Sequence, residues 1–270
     1  MKLTQIYKIL DEVAPKRLSD EYCQKYNAYD NSGILIDTGD EIKGLLFSLD
    51  LTFESIEKAI KLGANLIVTH HPVIYGKIDN ICQNSTSPLG EKLIKCIKNG
   101  ISVISMHLNL DVVTGGIDDS LMEGVLLSTG TGMRSNSQTV VMQPVDGGGY
   151  GKVYFVNPTC ISVFTENLKR TFSTDKILCY PAKEQICKVA SFCGAGIDDG
   201  TISFAVEHQV DVIISADFKH HFIQNALEKN ISVMILTHYA CEQYGFKKYY
   251  EKIRQNTVLP CVYHTDAKLF

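Results

Sequence analysis

The chain of 270 residues is 45% hydrophobic and 21% charged, enough apolar side chain for one large or two modest cores, and this excludes a disordered tail protein. With 26 Lys and Arg against 30 Asp and Glu the formal charge is −4, which disfavours a basic nucleic-acid binder. The apolar runs Leu66 to Val68, Val210 to Ile214 and Ile231 to Leu236 are strand-sized, far below the roughly 18 to 20 residues of a membrane span.

Leu3, Ile6, Ile9, Leu10 and Val13 recur at helical spacing and predict an amphipathic first helix halted by Pro15. Asp11 and Glu12 interrupt it too early for the apolar region of an export signal. The nine cysteines form no Cys-x-x-Cys pair and are odd in number, which points away from a zinc ribbon or a closed disulfide framework and towards a reducing cytoplasm.

After a loop from about Tyr26 to Gly33, strands are expected at Ile34 to Ile36 and Gly44 to Leu49, then a helix over Ser55 to Leu62 that Gly63 ends as a C-cap. Asn65 to Thr69 reads as a buried strand, Leu89 to Asn99 as a helix and Ile101 to Ser105 as a strand, the alternation of a mostly parallel sheet. The middle is turn-rich, around Ser128 to Gly132 and Asp146 to Gly151, with β-like Thr139 to Met142 and Val153 to Val156. A domain boundary is expected near residue 127. A second α/β unit follows: strand Ile186 to Phe192, helix Thr201 to His208, strand Val210 to Ser215, helix Ile223 to Lys229 and strand Ile231 to Leu236. The expected organisation is a first lobe of 1–127 plus 236–270 and a second lobe of 128–235, two similar α/β lobes with mostly parallel or mixed sheets flanked by helices.

The chemistry-bearing residues cluster where strands end. Ligands bind beyond the carboxyl ends of strands in open α/β sheets, and that is where Thr69-His70-His71-Pro72, His107-Leu108-Asn109-Leu110-Asp111 and Thr237-His238-Tyr239-Ala240-Cys241-Glu242 fall. Each stretch alone is commonplace: a His pair is more often structural, an Asn/Asp turn satisfies its own backbone, and His-x-x-x-Glu occurs by chance. Together His70, His71, Asp111, His238 and Glu242 exceed what one tetrahedral zinc requires, and two ions sharing a carboxylate would use them all. His107 is a candidate for orienting a ligand or for acid/base work, and His220, in Asp217-Phe218-Lys219-His220-His221, for acid/base work or substrate contact. Cys193-Gly194-Ala195-Gly196-Ile197-Asp198-Asp199-Gly200 lacks the Gly-Lys-Ser/Thr of a nucleotide-binding loop and reads as a tight turn.

In order along nearly the whole chain, these motifs resemble the Nif-three-like family, the GTP cyclohydrolase 1 type 2 homologues. Asp30-Asn31-Ser32-Gly33-Ile34 is similar to its Asp-Asn-x-Gly-Leu segment, and Thr69-His70-His71-Pro72-Val73-Ile74-Tyr75 to its His-His-Pro motif. His107 to Asp111 followed by Gly115-Gly116-Ile117-Asp118-Asp119 is similar to its His-x-Asn-x-Asp stretch and the Gly-Gly-x-Asn/Asp-Asp beyond. Gly149-Tyr150-Gly151-Lys152, Cys193-Gly194-Ala195-Gly196 and His238 to Glu242 complete the set. Ser32, Asp37, Thr237 and Cys241 depart from the family's Val, Gly, Gly and Thr without removing a ligand.

The resemblance implies a dinuclear metal site between the lobes, with His70, His71, Asp111, His238 and Glu242 as ligands and Glu242 bridging two divalent ions, zinc, iron or manganese. It also implies a homohexameric ring. The functional expectation is a cytoplasmic metal-dependent hydrolase of a small nucleotide-like or phosphorylated substrate, in the manner of a GTP cyclohydrolase 1 type 2, with no membrane and no nucleic-acid partner. The alternative, from a different class, is a non-catalytic ring-forming metal-binding scaffold, chaperone or regulatory protein, because no clamp of Arg and Lys for phosphate stands out in the sequence.

Overall fold

The computed structural model describes residues 1–83, 86–132 and 139–269. The chain divides into two compact units, Met1–Val113 with Phe246–Thr265, and Thr114–Gly245 with Asp266–Phe270.

The first unit opens with α1 (Leu3–Val13), whose Leu3, Ile6 and Leu10 are buried as the helical spacing requires. Pro15 does stop α1, but it also caps α2 (Lys16–Tyr26), ended by Asn27 in the left-handed conformation. The polarity of Lys16 to Lys25 hides this helix from periodicity, since Leu18, Ser19 and Tyr22 are the buried residues it supplies. Strands β1 (Gly33–Ile36), β2 (Leu45–Ser48), β3 (Leu66–Thr69) and β4 (Ser102–Ser105) alternate with α3 (Phe53–Leu62) and α4 (Leu89–Lys98). Thr52 accepts the N–H of Ser55 to cap α3, and Gly63, at φ 67°, donates its N–H to Ala59 and Ile60 carbonyls at the other end.

Ile56 and Ala59 of α3 and Leu93 and Cys96 of α4 pack with Leu46, Ile67 and Val103 of the sheet. Each fully buried aliphatic side chain there contributes about 1.5–3 kcal/mol.

The sheet order is β1-β4-β3-β2-β11, with β11 spanning Cys261–Tyr263. β11, β2, β3 and β4 run parallel, whereas β1 is antiparallel to β4. Ser48 pairs with Thr69, Thr69 with Ser105, and Ser105 with Gly33. The carboxyl ends of β2, β3 and β4 therefore finish level with the start of β1. A short helix, α5 (Leu108–Val112), follows β4.

The second unit contains α6 (Ile117–Ser128), β5 (Val140–Val145), β6 (Gly148–Cys160), α7 (Ile161–Thr171), β7 (Leu178–Tyr180), β8 (Gln185–Ser191), α8 (Asp199–Glu207), β9 (Val212–Ser215), α9 (His220–Glu228) and β10 (Ser232–Ile235). Its sheet order is β5-β6-β8-β9-β10-β7. β8, β9 and β10 are parallel and the other pairings antiparallel. Asp146-Gly147 forms the two-residue turn that joins β5 to β6, with Val145 opposite Gly148. Helix α10 (His238–Asn256) begins in this unit and ends in the first.

The division after Val113 differs from a boundary near residue 127, because α6 is tied to its own sheet by a buried charge. Asp118 accepts the N–H of Gly151 at 3.0 Å and that of Cys193 at 3.1 Å, as well as the Lys152 ammonium. Lys152 also reaches Asp119 Oδ1 at 2.9 Å and the Gly149 carbonyl at 3.0 Å. Burial works against the Lys152 ammonium, but Asp118 and Asp119 outweigh it and push its pKa up. Among the described residues, no helix is long and apolar enough to cross a membrane.

Candidate metal centre

The level strand ends of the first unit put several imidazoles side by side. His70 and His71 leave β3 directly, and both backbone N–H groups donate to the Leu49 carbonyl just beyond β2, at 3.1 and 3.0 Å. His107 follows β4 and starts α5 as its N-cap. One turn on, the buried Asp111 donates its N–H to the His107 carbonyl at 2.9 Å. Its Oδ1 lies 3.5 Å from His70 Nε2. The potential ligand atoms of His70, His71 and His107 all fall within 4.8 Å of one another.

In each of these imidazoles an oxygen holds Nδ1. His70 Nδ1 is 2.8 Å from the Met106 carbonyl, His71 Nδ1 is 2.8 Å from Asp50 Oδ1, and His107 Nδ1 is 2.8 Å from Asp30 Oδ1. An oxygen acceptor at Nδ1 fixes the ring and its tautomer and presents Nε2 as the coordinating or proton-transferring atom.

Asp30 is placed by the antiparallel pairing of β1, which brings the chain entering β1 beside the end of β4. Burial alone would raise its carboxyl, but the hydrogen bond and charge of His107, with the hydroxyls of Ser19 and Ser32, hold it well below the usual carboxylate range. The partner shifts correspondingly. Burial opposes the His107 imidazolium, yet Asp30 and Asp111 prevail and its pKa is raised.

The second unit repeats the arrangement. Ser191 pairs with Ile214, and Ser215 with Ile235, so the loops after β8, β9 and β10 emerge together. His238 and Glu242 occupy the first turn of α10, and His238 Nε2 lies 3.1 Å from Glu242 Oε1. Asp217, after β9, holds His238 Nδ1 at 2.6 Å. Gly194, after β8, has φ +59°, and a Cβ there would run into Glu242 Oε1 and lie 3.5 Å from His238 Cε1. The loop thus needs glycine twice over, for its backbone conformation and for the space Glu242 occupies. Cys241, between the two ligand candidates, is fully buried.

The donor chemistry fits a divalent ion of the borderline class, with imidazole nitrogens and carboxylate oxygens presented from rigid strand ends. The profile of the Duf34/NIF3 (NGG1p interacting factor 3) family matches residues 1–266. The chain belongs to this family.

Among Duf34/NIF3 relatives, a GTP cyclohydrolase 1 type 2 homolog of Clostridium perfringens is 31% identical over 94% of this chain and 92% of its own. The NGG1-interacting factor 3 of Saccharomyces cerevisiae is 28% identical over 83% of each. Among solved structures, reduced HcgD from Methanocaldococcus jannaschii superposes with a TM-score of 0.79 at 28% identity, over 97% of both chains.

The motifs that carry the Duf34/NIF3 resemblance include His70, His71, His107, Asp111, His238 and Glu242, and each emerges where a strand gives way to a loop or helix. Of the carboxylates behind the imidazoles, Asp50 carries no mark in the sequence, whereas Asp30 and Asp217 stand there only as members of motifs. Their common signal is an aspartate just outside a strand, two residues beyond the end of β2 and of β9 and three before β1. His220 lies exposed on the first turn of α9, and no cluster of potential ligands among the described residues includes it.

Proposed function

We propose that this Duf34/NIF3 protein is a dinuclear metal-dependent hydrolase of a small nucleotide-like or phosphorylated substrate, with GTP as the first candidate. In this reading His70, His71, Asp111, His238 and Glu242 hold two divalent ions, zinc, iron or manganese, and Glu242 is shared by both. The observation that carries it is the uniform engagement of Nδ1, by Met106 in His70, Asp50 in His71 and Asp217 in His238, which leaves Nε2 as the ligating atom in every case. Bound ions would supply Lewis-acid polarisation of a substrate oxygen and an acidified water.

The chain's own acid is His107. Asp30 anchors its Nδ1 and favours the protonated ring, so Nε2–H is available for donation to a leaving group. The exposed His220 is given no proton-transfer role. The names of the bacterial relatives support a nucleotide substrate, and the ring-shaped homohexamer is the assembly proposed.

Elemental mass spectrometry on untagged protein, beside Glu242→Ala, tests the reading. About two ions per chain, falling in the variant, with GTP or a phosphoester turned over, is the expected result. Protein that neither carries nor takes up divalent ions would overturn it. The yeast relative's name favours a second reading, a metal-binding protein whose role is to engage a protein partner. In that case Glu242→Ala would lower metal content and partner binding with no turnover to lose. Light scattering checks the hexamer, and the mass of a monomer or dimer would reject it.

A further inference from the structure

The loop after β3 does more than present two histidines. Val73, Ile74 and Ile78 pack against the core cluster of the first unit, and Asn31 donates its side-chain N–H to the Ile74 carbonyl at 2.8 Å. Tyr75, on the next residue, is nevertheless turned outward and is 60% exposed, and Tyr29 beside it is 53% exposed. The two rings meet edge to face, with centroids 5.2 Å apart and planes at 86°. Tyr75 also donates its hydroxyl to the Tyr29 carbonyl at 3.0 Å. Tyr75 also stands at 87° to His107, with centroids 6.2 Å apart.

A single exposed aromatic ring requires no explanation. Two rings locked together, on loops fastened to the core, and with one of them against an imidazole of the candidate centre do require one. Fixing the rings in the free protein removes the ordering cost that a ligand would otherwise incur, and exposed tyrosine faces attract flat π-systems.

We infer that Tyr29 and Tyr75 form an aromatic platform beside His107 for a planar heteroaromatic ring of the substrate, which stacks on the face of one of the two perpendicular rings and meets the other at its edge. The inference rests on the hydrolase reading for the identity of the substrate but not for the platform itself. The ring class that suits it is a purine or a similarly flat heterocycle, carried on a sugar phosphate.

The test is calorimetric titration of the purified full-length protein with guanosine 5′-monophosphate and with ribose 5-phosphate, which lacks the ring. Metal content and light-scattering mass are measured on the same samples. Guanosine 5′-monophosphate should bind the tighter of the two, Tyr75→Leu and Tyr29→Leu should each weaken it by roughly tenfold, and both should leave ribose 5-phosphate unaffected. Tyr75→Phe, which keeps the ring, should stay within about threefold of the wild type. The inference is overturned if folded Tyr75→Leu with normal metal content binds guanosine 5′-monophosphate like the wild type, or if the two ligands bind wild-type protein equally or not at all. It is also overturned if Tyr75→Leu changes the oligomeric mass, since the pair would then be a contact between copies. Ring-dependent binding by a protein without metal would leave the platform standing and remove the hydrolase.

Discussion

The two oxygens of Asp118 divide their work: Oδ1 accepts the N–H of Cys193 at 3.1 Å, and Oδ2 that of Gly151 at 3.0 Å. One carboxylate thus pins the loop that leads into Gly194 and the start of β6 to the first turn of α6. With Lys152 as its buried counter-ion, this pair is expected to be costly to break from either side. Lys152→Met should lower stability by about 3–5 kcal/mol, because it leaves the buried Asp118 without its counter-ion, and Asp118→Ala by less, because Asp119 Oδ1 still faces the ammonium at 2.9 Å. Urea denaturation of both variants checks this, and a loss below about 1 kcal/mol would show that water already reaches the pair.

Gly194→Ala tests the cradle behind Glu242. The left-handed backbone alone costs about 1–2 kcal/mol for a residue with a Cβ, which the fold should survive. The methyl group has nowhere to go except against Glu242 Oε1, so the carboxylate must move. The expected outcome is a folded protein, by circular dichroism, with reduced metal content. Metal content equal to the wild type would mean that Glu242 has room the structure does not show.

Asp30→Asn keeps the shape beside His107 and removes the charge. Metal content should be unchanged, while turnover of whatever substrate is established should fall by roughly 10- to 100-fold, in keeping with other partners that orient a functional histidine. His107→Ala should fall at least as far, and the two together no further than His107→Ala alone. Additive losses would show that Asp30 acts on something other than His107.

Asp211 supplies a pH test away from the centre. Burial raises its pKa, but the Lys183 ammonium, the N–H groups of Cys187 and Lys188 and the Cys187 thiol outweigh burial, and the value is lowered. A depressed carboxyl stabilises the fold above its unfolded value, near 3.9, and that contribution disappears as pH falls through the lower folded value. Asp211→Asn should therefore be less stable than the wild type at pH 7, by about 1–2 kcal/mol after allowance for solvent screening. The gap should close as the pH falls below the unfolded value and through the lower folded one, and thermal melts at both ends measure it. A gap that widened in acid would reverse the assignment.

The elements that carry periodic apolar residues, such as α3, or continuous apolar runs, such as β3 and β9, are legible in the sequence, as are the strand-end histidines. Helix α2 is not, because Pro15 reads as a stop whether or not a new helix follows, and few of its residues are buried. The sequence predicts strand over Val153 to Val156, yet β6 extends from Gly148 to Cys160, since the glycines at its start have no side chain to declare a pattern and Asn157, Pro158 and Thr159 break the apolar run at its end. The pairs Asp30 with His107 and Asp50 with His71 were invisible for a different reason. Strand order and register decide them, and neither is written in local residue spacing.

That dependence on register ties chemistry to folding. If β3 slipped by one residue against β2 and β4, Ile67 and its neighbours would exchange faces, and the sheet would lose its fit to α3 and α4. The same slip would carry His70 and His71 away from Asp50 and from His107. The error that scatters His70 and His71 would thus also withdraw the core on which they stand.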